Sequence, residues 1–191
     1  MTSAGAGQPC LFEDAAAGGA WNVIASTSIS SVSTVNFTSG ISSTYVNYVL
    51  VGSDVILNTP GGISVRLSSD GGSSWYSSSN YDYTNRTYST ASTVGAVTAS
   101  ANQFDITASV EAGNGLPTCF VVEFWNLSQS ATHKAIHSRT HVIKTSGQSQ
   151  GSMSWGSFKA NNAINGIQVL ADGGAPTLVS GRITLYGIAH A

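Results

Sequence analysis

Apolar and polar positions alternate along most of this chain with a period of two. Ile63, Val65 and Leu67 alternate with Ser64, Arg66 and Ser68, and Phe104, Ile106, Ala108 and Val110 alternate with Asp105, Thr107 and Ser109. Such a pattern predicts strands with one buried face. Tyr45–Val51 is a third well-patterned strand, and Thr118–Leu127 is the most apolar segment, which predicts a central strand. Trp21–Ser26, Ile29–Phe37, Ala135–Lys144, Met153–Lys159, Ile164–Leu170 and Arg182–Ile188 complete the set. About ten strands, spaced roughly 8–20 residues apart and without a helical period between them, predict an antiparallel sandwich.

One turn is written into the sequence in detail. After Leu67 the chain reads Ser68-Ser-Asp70-Gly-Gly72-Ser-Ser-Trp75. Gly71 and Gly72 supply residues that tolerate positive φ, as a hairpin needs. The order of Ser68, Asp70, Gly72, Ser74 and Trp75 resembles the Asp-box, a hairpin repeated in sialidase propellers and found singly in many unrelated β-proteins. Asp and Ser side chains then bond backbone N–H groups of the turn, and the aromatic packs beneath it. A second strand is expected to start at Trp75. From there to Thr87, Tyr residues stand among Ser and Asn, which predicts a long exposed loop or an edge strand. Trp75, Tyr76, Tyr81, Tyr83, Asn85, Arg86 and Tyr88 are the candidate contact residues for a glycan or a protein partner, with Asn80 and Asp82 standing among them. Aromatic faces stack on sugar rings while amide and guanidinium groups bond hydroxyls; the alternative is that these aromatics pack on the sandwich or on a neighbour.

Composition narrows the class. Only 8% of residues are charged, against about 25% in an average soluble domain. The net charge is −2 and no basic cluster occurs, so no nucleic-acid partner is expected. No apolar run approaches the ~18 residues of a membrane span, and no membrane partner is expected. A neutral, hydroxyl-rich surface with strand edges suits a chain covered by copies of itself, and a homotrimer is the expected assembly. Residues 1–19 are Gly/Ala/Ser-rich around Leu11-Phe12-Glu13-Asp14. This arm lacks the composition to fold alone, so the chain divides into an anchoring arm, 1–19, and a sandwich domain, 20–191. Leu11 and Phe12 are the expected anchors against another chain. The N-terminus shows no export signal, and the sequons at Asn36, Asn85 and Asn126 are expected by chance in so Asn/Ser/Thr-rich a chain. Cys10 and Cys119 are expected to be free thiols, Cys119 buried in its apolar run.

Several constellations invite chemistry, and each lacks a requirement. A sialidase needs several Asp-boxes and an arginine triad, whereas there is one copy and four arginines in all, Arg66, Arg86, Arg139 and Arg182. A glycosidase needs two facing carboxylates, and no pair is legible. His133, His137 and His141 are spaced by four, but their surroundings predict a strand, on which such residues sit about 13 Å apart. Gly147-Gln-Ser149-Gln-Gly151 matches the nucleophile-elbow pattern, but in a polar loop with no helix after it. No catalytic residue, metal or cofactor is assigned.

The closing stretch, Val179-Ser-Gly-Arg-Ile-Thr-Leu-Tyr-Gly-Ile188, resembles the last strand of small jelly-roll virion proteins of tailed bacteriophages. Phe37-Thr-Ser-Gly-Ile41 leading to Tyr45-Val-Asn-Tyr48, then Val65-Arg-Leu-Ser-Ser-Asp-Gly-Gly72, then Gly166-Ile-Gln-Val-Leu170 before Gly181-Arg-Ile, fit the same layout. Together they span most of residues 35–190. The resemblance implies a jelly-roll β-sandwich and a non-enzymatic role on the virion surface, decorating or cementing the capsid. Its partners would be the major capsid or another virion protein. The alternative is a tail- or head-fibre module binding host surface polysaccharide, and a small glycan-acting hydrolase is the rival from another class.

Overall fold

The computed structural model describes residues 20–89, 92–107, 116–144, 146–173 and 176–189. The arm, with Leu11, Phe12 and Cys10, lies outside the described residues. Among the described residues twelve strands follow one another: β1 (Trp21–Ser28), β2 (Thr34–Phe37), β3 (Asn47–Leu57), β4 (Gly62–Ser68), β5 (Tyr81–Ser89), β6 (Thr93–Ala101), β7 (Phe104–Asp105), β8 (Thr118–Trp125), β9 (Lys134–Ile143), β10 (Ser149–Phe158), β11 (Gly166–Asp172) and β12 (Leu178–Ile188). The described residues contain no helix.

The strands form two antiparallel sheets, an eight-stranded one in the order β1-β12-β3-β8-β9-β10-β5-β6 and a four-stranded one in the order β2-β11-β4-β7. β12 lies between β1 and β3 in one sheet, as β11 lies between β2 and β4 in the other. With β8 and β7 closing the two layers, this nesting is a jelly-roll-like wrapping of eight strands. The remaining four, β9, β10, β5 and β6, extend the larger sheet to one side, with β5 still tied to β4 and β7 of the smaller sheet through Tyr81 and Tyr83.

Alternation decides what lies between the layers. Tyr48 and Leu50 of β3, Phe120, Val122 and Phe124 of β8, and Ile183 and Leu185 of β12 share one core with Ile63, Val65 and Leu67 of β4 and Ile167 and Val169 of β11. Each such side chain, fully buried, contributes roughly 1.5–3 kcal/mol. The extension adds Ile136 and Val142 of β9, Phe158 of β10 and Tyr81 and Tyr83 of β5 to that core, but its other inward positions are polar. Ser138 and Thr140 of β9, Ser152 and Ser154 of β10, and Asn85 and Thr87 of β5 are buried polar residues. Backbone after β7 crosses this surface: Thr140 Oγ1 donates to Ile106 O at 2.8 Å and Ser152 Oγ to Thr107 O at 3.1 Å. Irregular backbone brings unpaired carbonyls, and a hydroxyl-lined sheet face supplies their donors.

Several sequence expectations are corrected. No strand starts at Trp75; the next one, β5, begins at Tyr81 and belongs to the other sheet. β4 is already paired with β11 and β7 on its two sides, so no edge is left for a hairpin partner. Of the strand expected over Phe104–Val110 only Phe104–Asp105 pairs, and 108–115 lie outside the described residues. β6 was not legible, and the polar stretch around Ser149 is the start of β10 instead of a loop. Cys119 is exposed, not buried: with Phe120, Val122 and Phe124 facing the core, period two turns Cys119 outward. Thr118–Trp125 is nevertheless a central strand of its sheet, as its apolar run predicts.

Candidate functional site

The Asp70 turn is built as its residue order predicts. Asp70 Oδ1 accepts Ser68 Oγ–H at 2.7 Å and Ser74 N–H at 2.9 Å, while Ser68 Oγ accepts the N–H groups of Asp70 and Gly72. Gly71 and Gly72 have φ of 70° and 86°, and the Trp75 ring lies so close that a Cβ on Gly72 would meet it at 3.1 Å. These donors hold the Asp70 carboxyl down at about 2, the Ser74 hydroxyl being the largest cause. All of them belong to the turn itself, so Asp70 acts here as a structural acceptor.

The seven candidate contact residues are not brought to one surface. Strand β5 alternates, so Tyr81, Tyr83 and Asn85 are buried under the sheet while Arg86 and Tyr88 are exposed on its other face. Trp75 and Tyr76 are half-buried in the connection before β5. Tyr76 packs edge-on against Phe158 at 4.8 Å. Tyr81 OH accepts the Leu67 N–H at 2.8 Å and so ties β5 to the opposite sheet. Tyr83 OH donates to Asp105 Oδ2 at 2.7 Å, and Ser64 Oγ donates to Asp105 Oδ1 at 2.8 Å. Gln103 extends this network: its Nε2 donates to Ser64 Oγ and to Asp172 Oδ2, and its Oε1 accepts from Arg66 Nη2 at 2.9 Å. Burial first, and the Asp105 carboxylate second, push the Tyr83 phenol well above its ordinary range. Asp105 and Asp172 are thus linked through Ser64 and Gln103, and both Asp105 oxygens are taken up by Ser64 and Tyr83.

The other patterns resolve as strand neighbours. His137 and His141 lie on the outer side of β9 and His133 precedes the strand. Among the described residues no group of three His, Cys, Asp or Glu side chains is placed to hold a metal ion. Ser149 Oγ lies 2.8 Å from His141 Nε2. That serine opens a strand instead of a strand-to-helix elbow, and among the described residues His141 has no carboxylate partner.

One arrangement escaped the sequence reading. On the outer face of the large sheet, register places Glu123, His137, Trp155, Thr84 and Val97 in one row across β8, β9, β10, β5 and β6. The His137 imidazole stacks between two indoles, on Trp155 at 5.4 Å and 13° and on Trp125 at 6.3 Å and 19°. Glu123 holds the row's charged end, with Oε2 3.1 Å from His137 Nδ1 and Oε1 accepting from Arg139 Nη2 at 3.2 Å. β5 flanks β10 on the side away from β9, so the second face of the Trp155 indole looks over Thr84 toward Val97. Between them is a shallow trough bordered by Asp82, Thr98 and Ser157. Asp82 Oδ1 accepts the Ser100 N–H at 2.6 Å and Lys159 Nζ–H at 3.0 Å, which lowers its carboxyl below the ordinary range. The one signal available was the outward parity of His137 and Trp155 on their strands; the pairing of those strands was not readable. Compared with protein-family models, with curated proteins and with solved structures, the chain matches none.

Proposed function

We propose that this chain is a non-enzymatic structural protein displayed on the surface of a tailed-phage particle, self-associated as a homotrimer and decorating or cementing the capsid. The observation that carries the reading is the state of the two edges of the large sheet. β1 and β6 are its edge strands, and neither contains a charged residue. Trp21 on β1 and Val97 on β6 are 54% and 80% exposed, with Val23 and Val94 exposed beside them. Long, neutral, apolar edges are a pairing hazard unless another chain covers them. Two different edges on one sheet make a head-to-tail contact, and closure of such contacts gives a ring.

The virion context rests on the resemblance described above, whose stretches contribute to β3, β4, β11 and β12. In this reading residues 1–19, with Leu11 and Phe12, bind the major capsid protein or another virion protein. Placement as a fibre module on host polysaccharide is the second reading, favoured by the exposed indole of Trp155. Light scattering of the purified protein tests the assembly: a trimer is expected, reduced to monomer by Val97→Lys together with Ala96→Lys. A stable wild-type monomer overturns the assembly. Antibody labelling of intact purified particles tests the location, and a chain confined to the host cell and absent from particles overturns it.

A further inference from the structure

We propose that the trough between Trp155 and Val97 is a subsite for one neutral pyranose ring of a carbohydrate, a reading that holds whether or not the chain belongs to a virion. The aromatic wall is preorganised. One face of the Trp155 indole is occupied by His137, which is itself fixed by Glu123 and by Trp125. The opposite face is open, and the residue remains 41% exposed. A rigid aromatic with one free face binds the C–H edge of a sugar ring at little entropic cost.

The walls stand two strands apart, about 9–10 Å between backbones, with the small Thr84 between them. That spacing leaves room for one ring beside the indole. At the end of the trough, Asp82 uses Oδ1 for Ser100 and Lys159, while neither of those bonds involves its Oδ2. Lys159 Nζ also donates to Ser100 Oγ. Asp82 Oδ2 thus offers an acceptor to a ring hydroxyl, with Thr84 beneath, while Lys159 holds the carboxylate in place. Their charges cancel as an ion pair, so the trough complements hydroxyl groups on a ligand with no net charge. A carboxylate acceptor beside a stacked aromatic is the chemistry that distinguishes a sugar from a purely apolar partner.

The test uses the four indole N–H signals of the full chain, from Trp21, Trp75, Trp125 and Trp155, in nuclear magnetic resonance spectra. The probes are the methyl pyranosides of glucose, galactose, mannose and N-acetylglucosamine, titrated through the millimolar range. At least one is expected to move the Trp155 signal saturably while Trp21 and Trp75 stay fixed. Asp82→Asn should weaken that binding by about tenfold or more, since a charge-assisted acceptor is lost. Trp155→Ala should abolish it, the three remaining indole signals reporting that the fold persists. The proposal is overturned by no saturable shift with any of the four probes, by equal shifts at all four indoles, or by binding unchanged in Asp82→Asn. Concentration-dependent broadening confined to the Trp155 signal, which no probe relieves, also overturns it by assigning the trough to a second copy of the chain, whereas equal broadening of all four indole signals reports the assembly and leaves the probe titration to decide.

Discussion

Asp70 and Ser74 are joined twice: the Ser74 hydroxyl donates to Asp70 Oδ2 at 2.5 Å and the Ser74 N–H donates to Oδ1 at 2.9 Å. With Ser68 on the other side, the carboxylate satisfies the inside of a turn whose ends are closed by the Tyr76 N–H donating to Leu67 O at 2.9 Å. Replacing Asp70 by Ala is expected to lower the melting temperature by a few degrees at neutral pH. An unchanged melt would show that the turn stands without its carboxylate.

The same contact sets an acid dependence. The folded Asp70 carboxyl lies at about 2, below its ordinary value of 3.8. A depressed carboxyl contributes stability that is present above its unfolded pKa and is lost as pH falls through the folded one. Melting temperature should therefore fall between pH 3.8 and about 2 in the native protein. In Asp70→Asn that acid-dependent fall should be smaller, and an identical profile would refute the assignment.

Tyr81 and Tyr83 predict behaviour at the alkaline end. Tyr81 OH is the acceptor for a buried backbone N–H, that of Leu67. Tyr81→Phe leaves this donor unpaired and should cost about 1–3 kcal/mol in denaturant unfolding. Burial raises both phenols, and that of Tyr48, above the ordinary 10.0. A raised folded pKa means that the stabilisation is complete below about pH 10 and is lost as pH rises through the folded value. In a spectrophotometric titration Tyr81 and Tyr83 should ionise only with unfolding. Their ionisation in the still-folded protein would contradict the burial.

Cys119 provides a test of the outward face of β8. Its thiol is exposed, so a maleimide should label it in the folded, unassembled protein without prior denaturation. Cys119→Ser should leave the melt within experimental error, because surface substitutions of this kind change stability by about 0.5 kcal/mol or less. A thiol that reacts only after unfolding would place it in a covered environment.

What the sequence determined by itself was local. The alternation in Ile63–Ser68 and the apolar run of Thr118–Leu127 specify strands because a strand's side chains point to opposite faces whatever lies around them. The Asp70 turn was legible in atomic detail because its bonds join residues two and four apart. Tertiary structure decided what depends on neighbours distant in the chain. β5 lies in the large sheet because β4 was already flanked by β11 and β7, and that placement sends Tyr81, Tyr83 and Asn85 inward while leaving Arg86 and Tyr88 outside. In an apolar run like that around Cys119 both faces look alike in sequence, and only the layer facing Phe120 told them apart. The Trp125–His137–Trp155 stack is assembled from three strands by their hydrogen-bond register. No pattern within any one strand encodes that register, because it is set by where the pairs of strands meet.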